Sequence, residues 1–341
     1  MLNTVYRLVE PRRFEAQFTN IDISQDDVLV RPTHLSICHA DQRYYQGTRA
    51  KEVLEKKLPM SLIHEGIGVV EYDPRGEFEV GKHVVMIPNT PCEEDPYIGE
   101  NYLRSSKFRG SGFDGFMQDY VAMRRDRLVL LPEGINLNVA AFTEIVSVSY
   151  HAINRFIKFS HERRDRIGIW GDGNLAFITS LLLKKKLPDS EVLIFGVNDY
   201  KMRDFVFADG TYDIGEIPGD LTIDHAFECV GRAASGNAIN QIIDYIRPEG
   251  TISILGVSED PVPINTRMVL EKGLRVFGSS RSGYEDFQGT IALYRENKDV
   301  QEYLERLICD IIPVKSIADM SKAFDSDIKK PSGKTIMLWE K

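Results

Sequence analysis

Cysteine is scarce in these 341 residues: four, at positions 38, 92, 229 and 309, without regular spacing. That excludes a disulfide-stapled scaffold and suits the reducing cytoplasm. Basic charge is also in deficit. Lys and Arg number 42 against 51 Asp and Glu, a net charge of −9, which argues against nucleic-acid binding by bulk charge. No apolar run approaches the roughly 20 residues that cross a bilayer. The opening MLNTVYRLVEPRRF has no secretory apolar block. Internal repeats and low-complexity tracts are lacking too. The expectation is a chain with neither a membrane nor a nucleic-acid partner. What is present, 43% hydrophobic and 27% charged residues, suits a soluble protein with a large core and two domains.

The most informative stretch is residues 167–178. A short apolar run meets Gly171, Asp172, Gly173, Asn174, Leu175 and Ala176, and Leu175, Ile178 and Leu182 then follow helical spacing. Strand, tight glycine turn and helix read as a dinucleotide-binding unit, with a pyrophosphate on the helix N-terminus. A glycine turn between packed elements has the same local appearance.

Residues 1 to about 145 read as mostly β. Strand signals fall at 28–32, 66–70, 83–88 and 116–123, and residues 89–115 read as a polar, irregular surface lobe. From about 146 strands and helices alternate. Strand candidates are 167–170, 192–195, 225–229, 252–255 and 275–278. Ile239, Ile242, Ile243 and Ile246 mark one helix, with Pro248, Glu249 and Gly250 as its stop. Such alternation predicts βαβ units and a parallel sheet, an α/β class. The tail is helical and ends in a strand-like 335–339. The run Lys184, Lys185, Lys186 suits a helix C-terminus.

Cys38, His64, Glu65 and Glu144 offer thiolate, imidazole and carboxylate, the donors of a catalytic zinc. Their wide spacing is no local metal motif. Cys38 also fits a small buried side chain, His64 a core histidine, Glu65 a surface charge and Glu144 a helix start. Adjacent strand side chains point to opposite faces, so His64 and Glu65 share an ion only if the backbone bends, and Gly66 is the expected bend.

Four segments carry a resemblance. They are Cys38-His39-Ala40-Asp41, His64-Glu65-Gly66-x-Gly68, Thr143-Glu144, and the run Gly171 to Ala176. Together they resemble the medium-chain zinc-dependent dehydrogenases over nearly the whole chain, best the polyol branch. More narrowly, the segments at 39–45, 224–229 and 278–283 are similar to the ribulose-5-phosphate reductases, which make ribitol 5-phosphate for the CDP-ribitol of teichoic acids and capsules.

The resemblance implies a β-rich GroES-like catalytic domain, 1–145 and 285–341, and a Rossmann domain, 146–284. It implies Cys38, His64, Glu65 and Glu144 as ligands of one zinc. Relatives carry four close cysteines in the lobe for a structural zinc; here Cys92 stands alone, so a single ion is expected. A relay hydroxyl two residues after the ligand cysteine is replaced by Ala40, and a relay histidine by Arg43. Glu65, Tyr44 or metal-bound water remain for the proton. His39 takes the place of a basic residue at the cofactor pyrophosphate.

An NAD enzyme needs an acid at the end of its second strand, about 20 residues beyond the glycines. Here the strand meets Gly196, and Lys201 follows. NADPH is the expected cofactor, with Asp199 the carboxylate that speaks for NADH. Arg43 and Arg281 are the candidates for a substrate phosphate, with Arg109 a third. The expected reaction is NADPH-dependent reduction of ribulose 5-phosphate. The alternative is an NAD-dependent polyol dehydrogenase of xylitol or sorbitol type. A cytidylyltransferase partner follows from pathway analogy alone. A homodimer or homotetramer is the expected assembly.

Overall fold

The hairpin β1 (Leu2–Glu10) and β2 (Arg13–Asn20) opens the chain, paired from Leu2↔Asn20 to Glu10↔Arg13. Val5, Leu8 and Phe14 are buried there while Phe18 stays exposed. The computed structural model describes residues 1–341. It divides into two units, Met1–Ser147 with Ser282–Lys341, and Val148–Arg281. No helix is long and apolar enough to cross a membrane.

The first unit is built on β3 (Asp27–Ser36). Two short helices follow, α1 (His39–Tyr45) and α2 (Lys51–Lys57), then β4 (Met60–Ser61), β5 (Glu65–Tyr72) and β6 (His83–Met86). The lobe holds only the two-residue strands β7 (Asn89–Thr90) and β8 (Lys107–Phe108). Cys92 is exposed, and the lobe is tied down by Arg127, whose guanidinium meets Glu100 at 2.8 Å, and by Arg124, which donates to the Pro91 carbonyl at 2.8 Å. β9 (Val121–Arg124) and β10 (Leu128–Leu130) complete this part. Phe116 and Met117, expected within a strand, instead donate singly to the carbonyls of Ile63 and Leu62. Only the end of that apolar run pairs with β3. Then come α3 (Leu137–Ala140) and α4 (Thr143–Phe159), whose first turn holds Glu144.

The second unit alternates β11 (Arg166–Trp170), α5 (Asn174–Lys186), β12 (Glu191–Gly196), α6 (Asp199–Met202), β13 (Gly210–Asp213), β14 (Ile223–Glu228), α7 (Ala234–Tyr245), β15 (Ile246–Ile254), α8 (Thr266–Glu271) and β16 (Arg275–Gly278). All six strands are parallel, in the order β13-β12-β11-β14-β15-β16. This is a doubly wound sheet whose order reverses at β11 and β14, where such sheets bind ligands at the carboxyl ends. Its buried apolar strands suit a parallel sheet covered on both faces. Trp170 stacks on Phe195 at 3.9 Å, and α7 buries Ile239, Ile242 and Ile243.

Ile246, read as helical, is instead the first residue of β15, with φ −78 and ψ 137. Pro248 disfavours helix at the residue before it, and its ring would strike the carbonyl of Asp244. The chain therefore leaves the helix before the proline is reached.

The tail adds α9 (Tyr284–Glu296), α10 (Lys298–Glu305), β17 (Ile308–Val314), α11 (Ile317–Lys329) and β18 (Lys334–Trp339) to the first unit. β18 pairs antiparallel with β3, in the sheet order β10-β6-β5-β3-β18-β17. Tyr45, Phe14 and Phe324 form one aromatic cluster, with Tyr45 and Phe324 4.7 Å apart. That cluster seats α1 on α11, reinforced by Gln42 donating to Asp327 at 2.9 Å.

Candidate active site

β3 is the axis of the site. Ser36 pairs with Glu65 on one side and with Ile336 on the other. Two residues past Ser36 lies Cys38; two residues before Ile336 lies Lys334. Three distant stretches are thus brought to one end of the sheet.

Sulfur, nitrogen and oxygen of Cys38, His64 and Glu65 lie within 4.8 Å of one another. His64 and Glu65 are buried. The bend that lets neighbours converge is at Ile63, with φ +71, and not at Gly66. A β-branched residue in the left-handed region is strained, a cost sustained only when neighbours impose it. Here Ile63 donates to Asp41 Oδ1 at 3.0 Å and accepts from the Phe116 amide at 2.8 Å. Gly66 is small for another reason: a Cβ there would fall 2.6 Å from Leu35 Cδ2.

Asp41 joins Cys38 to His64. Its Oδ2 accepts from the Cys38 amide at 3.1 Å, and its Oδ1 lies 3.4 Å from His64 Nδ1. Nδ1 thus faces the carboxylate, the arrangement in which Nε2 is the nitrogen offered to an ion. Burial alone would lower the imidazole pKa, but Asp41 and the Cys38 thiol outweigh it and hold it well above its usual value. Burial and the Glu65 charge push the Cys38 thiol up. A bound cation reverses both trends, since it takes the thiolate and the neutral imidazole.

Glu65 is fully buried, and neither oxygen accepts a hydrogen bond of ordinary geometry. Its counter-charge is Lys334, whose Nζ lies 2.7 Å from Oε2 and donates to the Ile37 carbonyl at 3.1 Å. Burial opposes the ammonium charge, but Glu65 and Cys38 prevail and raise its pKa. The donor set fits zinc: one thiol, one imidazole and one carboxylate short of acceptor contacts. Glu144 is buried but stands outside the 4.8 Å group. Burial pushes its carboxyl up to about 7 against the pull of His64, with Glu65 adding to the rise.

Tyr44 and Arg43 follow on α1. Tyr44 is 1% exposed, and its hydroxyl has no hydrogen-bond partner. His39 opens α1 and is exposed; Arg43 is half-buried. Arg109 spends its guanidinium on the carbonyls of Ala122 at 2.8 Å and Asp114 at 3.3 Å, which makes it a brace of the lobe.

In the second unit Gly171 has φ +130, and a Cβ would meet the Cys229 carbonyl at 3.1 Å. Gly173 caps α5, and a Cβ there would touch nothing within 4 Å. This open space, before Asn174 and Leu175 at a helix N-terminus, is what a pyrophosphate requires. Asp172 Oδ2 accepts from the amides of Val197 and Asn198, both at 2.9 Å, which binds the turn to the end of β12. Lys201 Nζ lies 3.9 Å from Asp172 Oδ1. Gly196 has no room for an acid: a Cβ would lie 2.8 Å from Met202 Sδ and 2.9 Å from Asp172 Cβ. Arg281 sits at φ +59 and is half-buried.

Asp41 and Lys334 carry contacts that the sequence did not assign. Asp41 had a signal, an acid three residues after a residue that precedes a helix, the pattern of a capping box. Lys334 had none, because its partner is 269 residues away and only the β3–β18 register unites them.

A buried sulfur, nitrogen and oxygen cluster in one unit and a glycine turn on a doubly wound sheet in the other define the class of nucleotide-dependent metallo-dehydrogenases. The description "Alcohol dehydrogenase GroES-like domain" matches residues 24–133, and "Zinc-binding dehydrogenase" matches residues 204–296. The ribulose-5-phosphate reductase of Bacillus spizizenii is 56% identical over 100% of both chains. Ribulose-5-phosphate reductase 1 of Staphylococcus aureus is 53% identical over 99% of both. The crystal structure of S. aureus TarJ in complex with NADPH is similar with a TM-score of 0.90 and 49% identity over 100% of both chains. The chain belongs to the zinc-binding dehydrogenase family, in its ribulose-5-phosphate reductase branch.

Proposed function

We propose that this chain reduces D-ribulose 5-phosphate to D-ribitol 5-phosphate with NADPH, in a zinc-dependent reaction. The observation that carries the reading is the buried Cys38, His64 and Glu65 group within 4.8 Å, in a chain 56% identical to a reductase of that name. Bound zinc supplies Lewis acidity toward the C2 ketone, and NADPH supplies the hydride.

The remaining work belongs to the chain. Cys38, His64 and Glu65 hold the ion, with Glu144 close by. Asp41 aims the imidazole and Lys334 balances the Glu65 charge. Gly171, Gly173 and the start of α5 would receive the pyrophosphate, and the lack of an acid at Gly196 admits a 2′-phosphate, with Lys201 to supply the compensating charge. Of the chain's own groups, Glu65 and the Tyr44 hydroxyl are the candidate holders of the proton. The product supplies CDP-ribitol synthesis for teichoic acid or capsule, in the cytoplasm, by a homodimer or homotetramer. A cytidylyltransferase is the partner that consumes it.

The test follows NADPH absorbance with D-ribulose 5-phosphate, and repeats it with NADH at equal concentration. The expected outcome is turnover with NADPH at least about tenfold faster than with NADH. Oxidation of sorbitol or xylitol with NAD, and none of the phosphosugar reaction, would replace this reading with the polyol dehydrogenase. Cys38→Ser is expected to lose bound zinc and nearly all turnover together.

A further inference from the structure

Lys57 ends α2, where a lysine ordinarily extends into water. This one turns inward. Its Nζ donates to Ser111 Oγ at 2.9 Å and lies 5.8 Å from the centroid of the Tyr44 ring. It pairs with no carboxylate, in a chain whose acids exceed its Lys and Arg. The guanidinium of Arg49 lies over the same ring at 4.2 Å. Two cations thus lie against one aromatic ring, and the ring quadrupole attracts each. An anion beside Lys57 gives its ammonium the counter-charge that no carboxylate supplies.

The surroundings tie this feature to the metal-ligand group. Tyr44 sits on the helix that begins just after Cys38, and its buried hydroxyl has no hydrogen-bond partner. Ser111 follows Gly110, where a Cβ would stand 3.5 Å from His64 Nδ1. Phe108, in the same loop, packs on the His64 ring at 5.5 Å. Lys57, Ser111 and Tyr44 therefore converge from three segments, two of which adjoin Cys38 and His64.

We propose that Lys57, Ser111 and the Tyr44 hydroxyl form an anion subsite beside the Cys38, His64 and Glu65 group, and that it takes the phosphate monoester of the substrate. The proposal rests on the reading above that the substrate is a phosphosugar. An ammonium and two hydroxyls match the acceptor oxygens of a phosphate dianion, and charge-assisted bonds are the strong ones. Arg49 adds positive field at the same ring.

Two measurements test the subsite in the natural protein, Lys57→Met, Lys57→Arg and Ser111→Ala. Calorimetry gives the affinity for D-ribulose 5-phosphate against that for D-ribulose, and steady-state kinetics gives the inhibition constant of inorganic phosphate against D-ribulose 5-phosphate. The expected result for Lys57→Met is a loss of about tenfold to a hundredfold in the preference for the phosphorylated sugar, with inorganic phosphate weakened in parallel. Lys57→Arg keeps the charge and stays within about threefold of the natural protein. Ser111→Ala, which reads the same contact if Lys57→Met does not fold, loses about threefold to tenfold. The idea is overturned if the phosphate preference of Lys57→Met stays within twofold of natural, or if both sugars weaken equally, the mark of a lysine that only tethers the loop. Calorimetry keeps the outcomes separate. A natural protein that never turns over D-ribulose 5-phosphate refutes the functional reading, whereas binding that ignores Lys57 refutes the subsite alone.

Discussion

Asp41 serves three groups with two oxygens: the Cys38 amide, the Ile63 amide and the His64 imidazole. Asp41→Asn puts an amide NH₂ where one of those N–H donors must point. The expected result is a 10- to 100-fold loss in zinc affinity, on the order seen when a ligand's hydrogen-bond partner is lost, read by chelator competition in a protein that still folds. Lys334→Met leaves the buried Glu65 charge without its counter-ion. Breaking one side of a buried pair costs about 3–5 kcal/mol, so urea unfolding of the metal-free variant should shift by that order, and zinc should restore part of it. Unchanged metal-free stability would mean that Glu65 is already protonated there. At this scale the sequence revealed donor types. Cys38, His64 and Glu65 could be picked out by chemistry, but the strain at Ile63 and the role of Lys334 arise from backbone path and strand register, which leave no trace in local composition.

Strands and helices of the second unit were legible because a buried parallel sheet needs continuous apolar runs separated by helices, and residues 167–170 and 192–195 are such runs. β1 and β2 were not assigned. Their burial alternates irregularly, and β2 is polar and largely exposed, so neither period stands out. β14 carries a pH-sensitive residue, His225. Its Nδ1 accepts from the Thr251 amide at 3.1 Å and its Nε2 lies 3.0 Å from the Arg163 carbonyl, the pattern of a neutral ring. Burial, then the nearby His161, lowers its pKa to about 4. An unfolded histidine titrates near 6.5, so between about 6.5 and 4 the unfolded chain binds the extra proton, and stability falls as pH falls through that window. The loss attributable to His225 is on the order of 3 kcal/mol at most. Urea unfolding at several pH values between 5 and 7 should slope downward toward acid, and His225→Gln should flatten that slope. An identical slope in the variant would remove His225 as the cause. Burial likewise lowers His34, to about 4, with His83 contributing, so some slope persists.

In the whole molecule Cys38, His64 and Glu65 all belong to one unit and the glycine turn to the other. A chelator should therefore abolish ketone reduction yet leave NADPH binding, followed by nucleotide fluorescence, within about threefold of the untreated protein. Loss of nucleotide binding on chelation would show that the ion also supports the nucleotide-binding unit. Gly196 sets a limit on redesign. Gly196→Asp, the obvious change toward NADH, drives a side chain into Met202 and Asp172, and overpacking of this kind costs about 1–3 kcal/mol. The expected variant melts earlier than the natural protein and gains little NADH activity.

Lys334 and β18 stand at residues 334–339, while Cys38 and Glu65 lie in the first fifth of the chain. A ribosome making this protein has the thiol, imidazole and carboxylate outside long before the ammonium that neutralises them. Until that closing strand arrives, β3 presents a bare edge at residues 34–36 and Glu65 lacks the Lys334 cation. The nascent first unit is left unfinished while the second can already fold, which makes it the part of the newborn chain most in need of a chaperone or of early zinc.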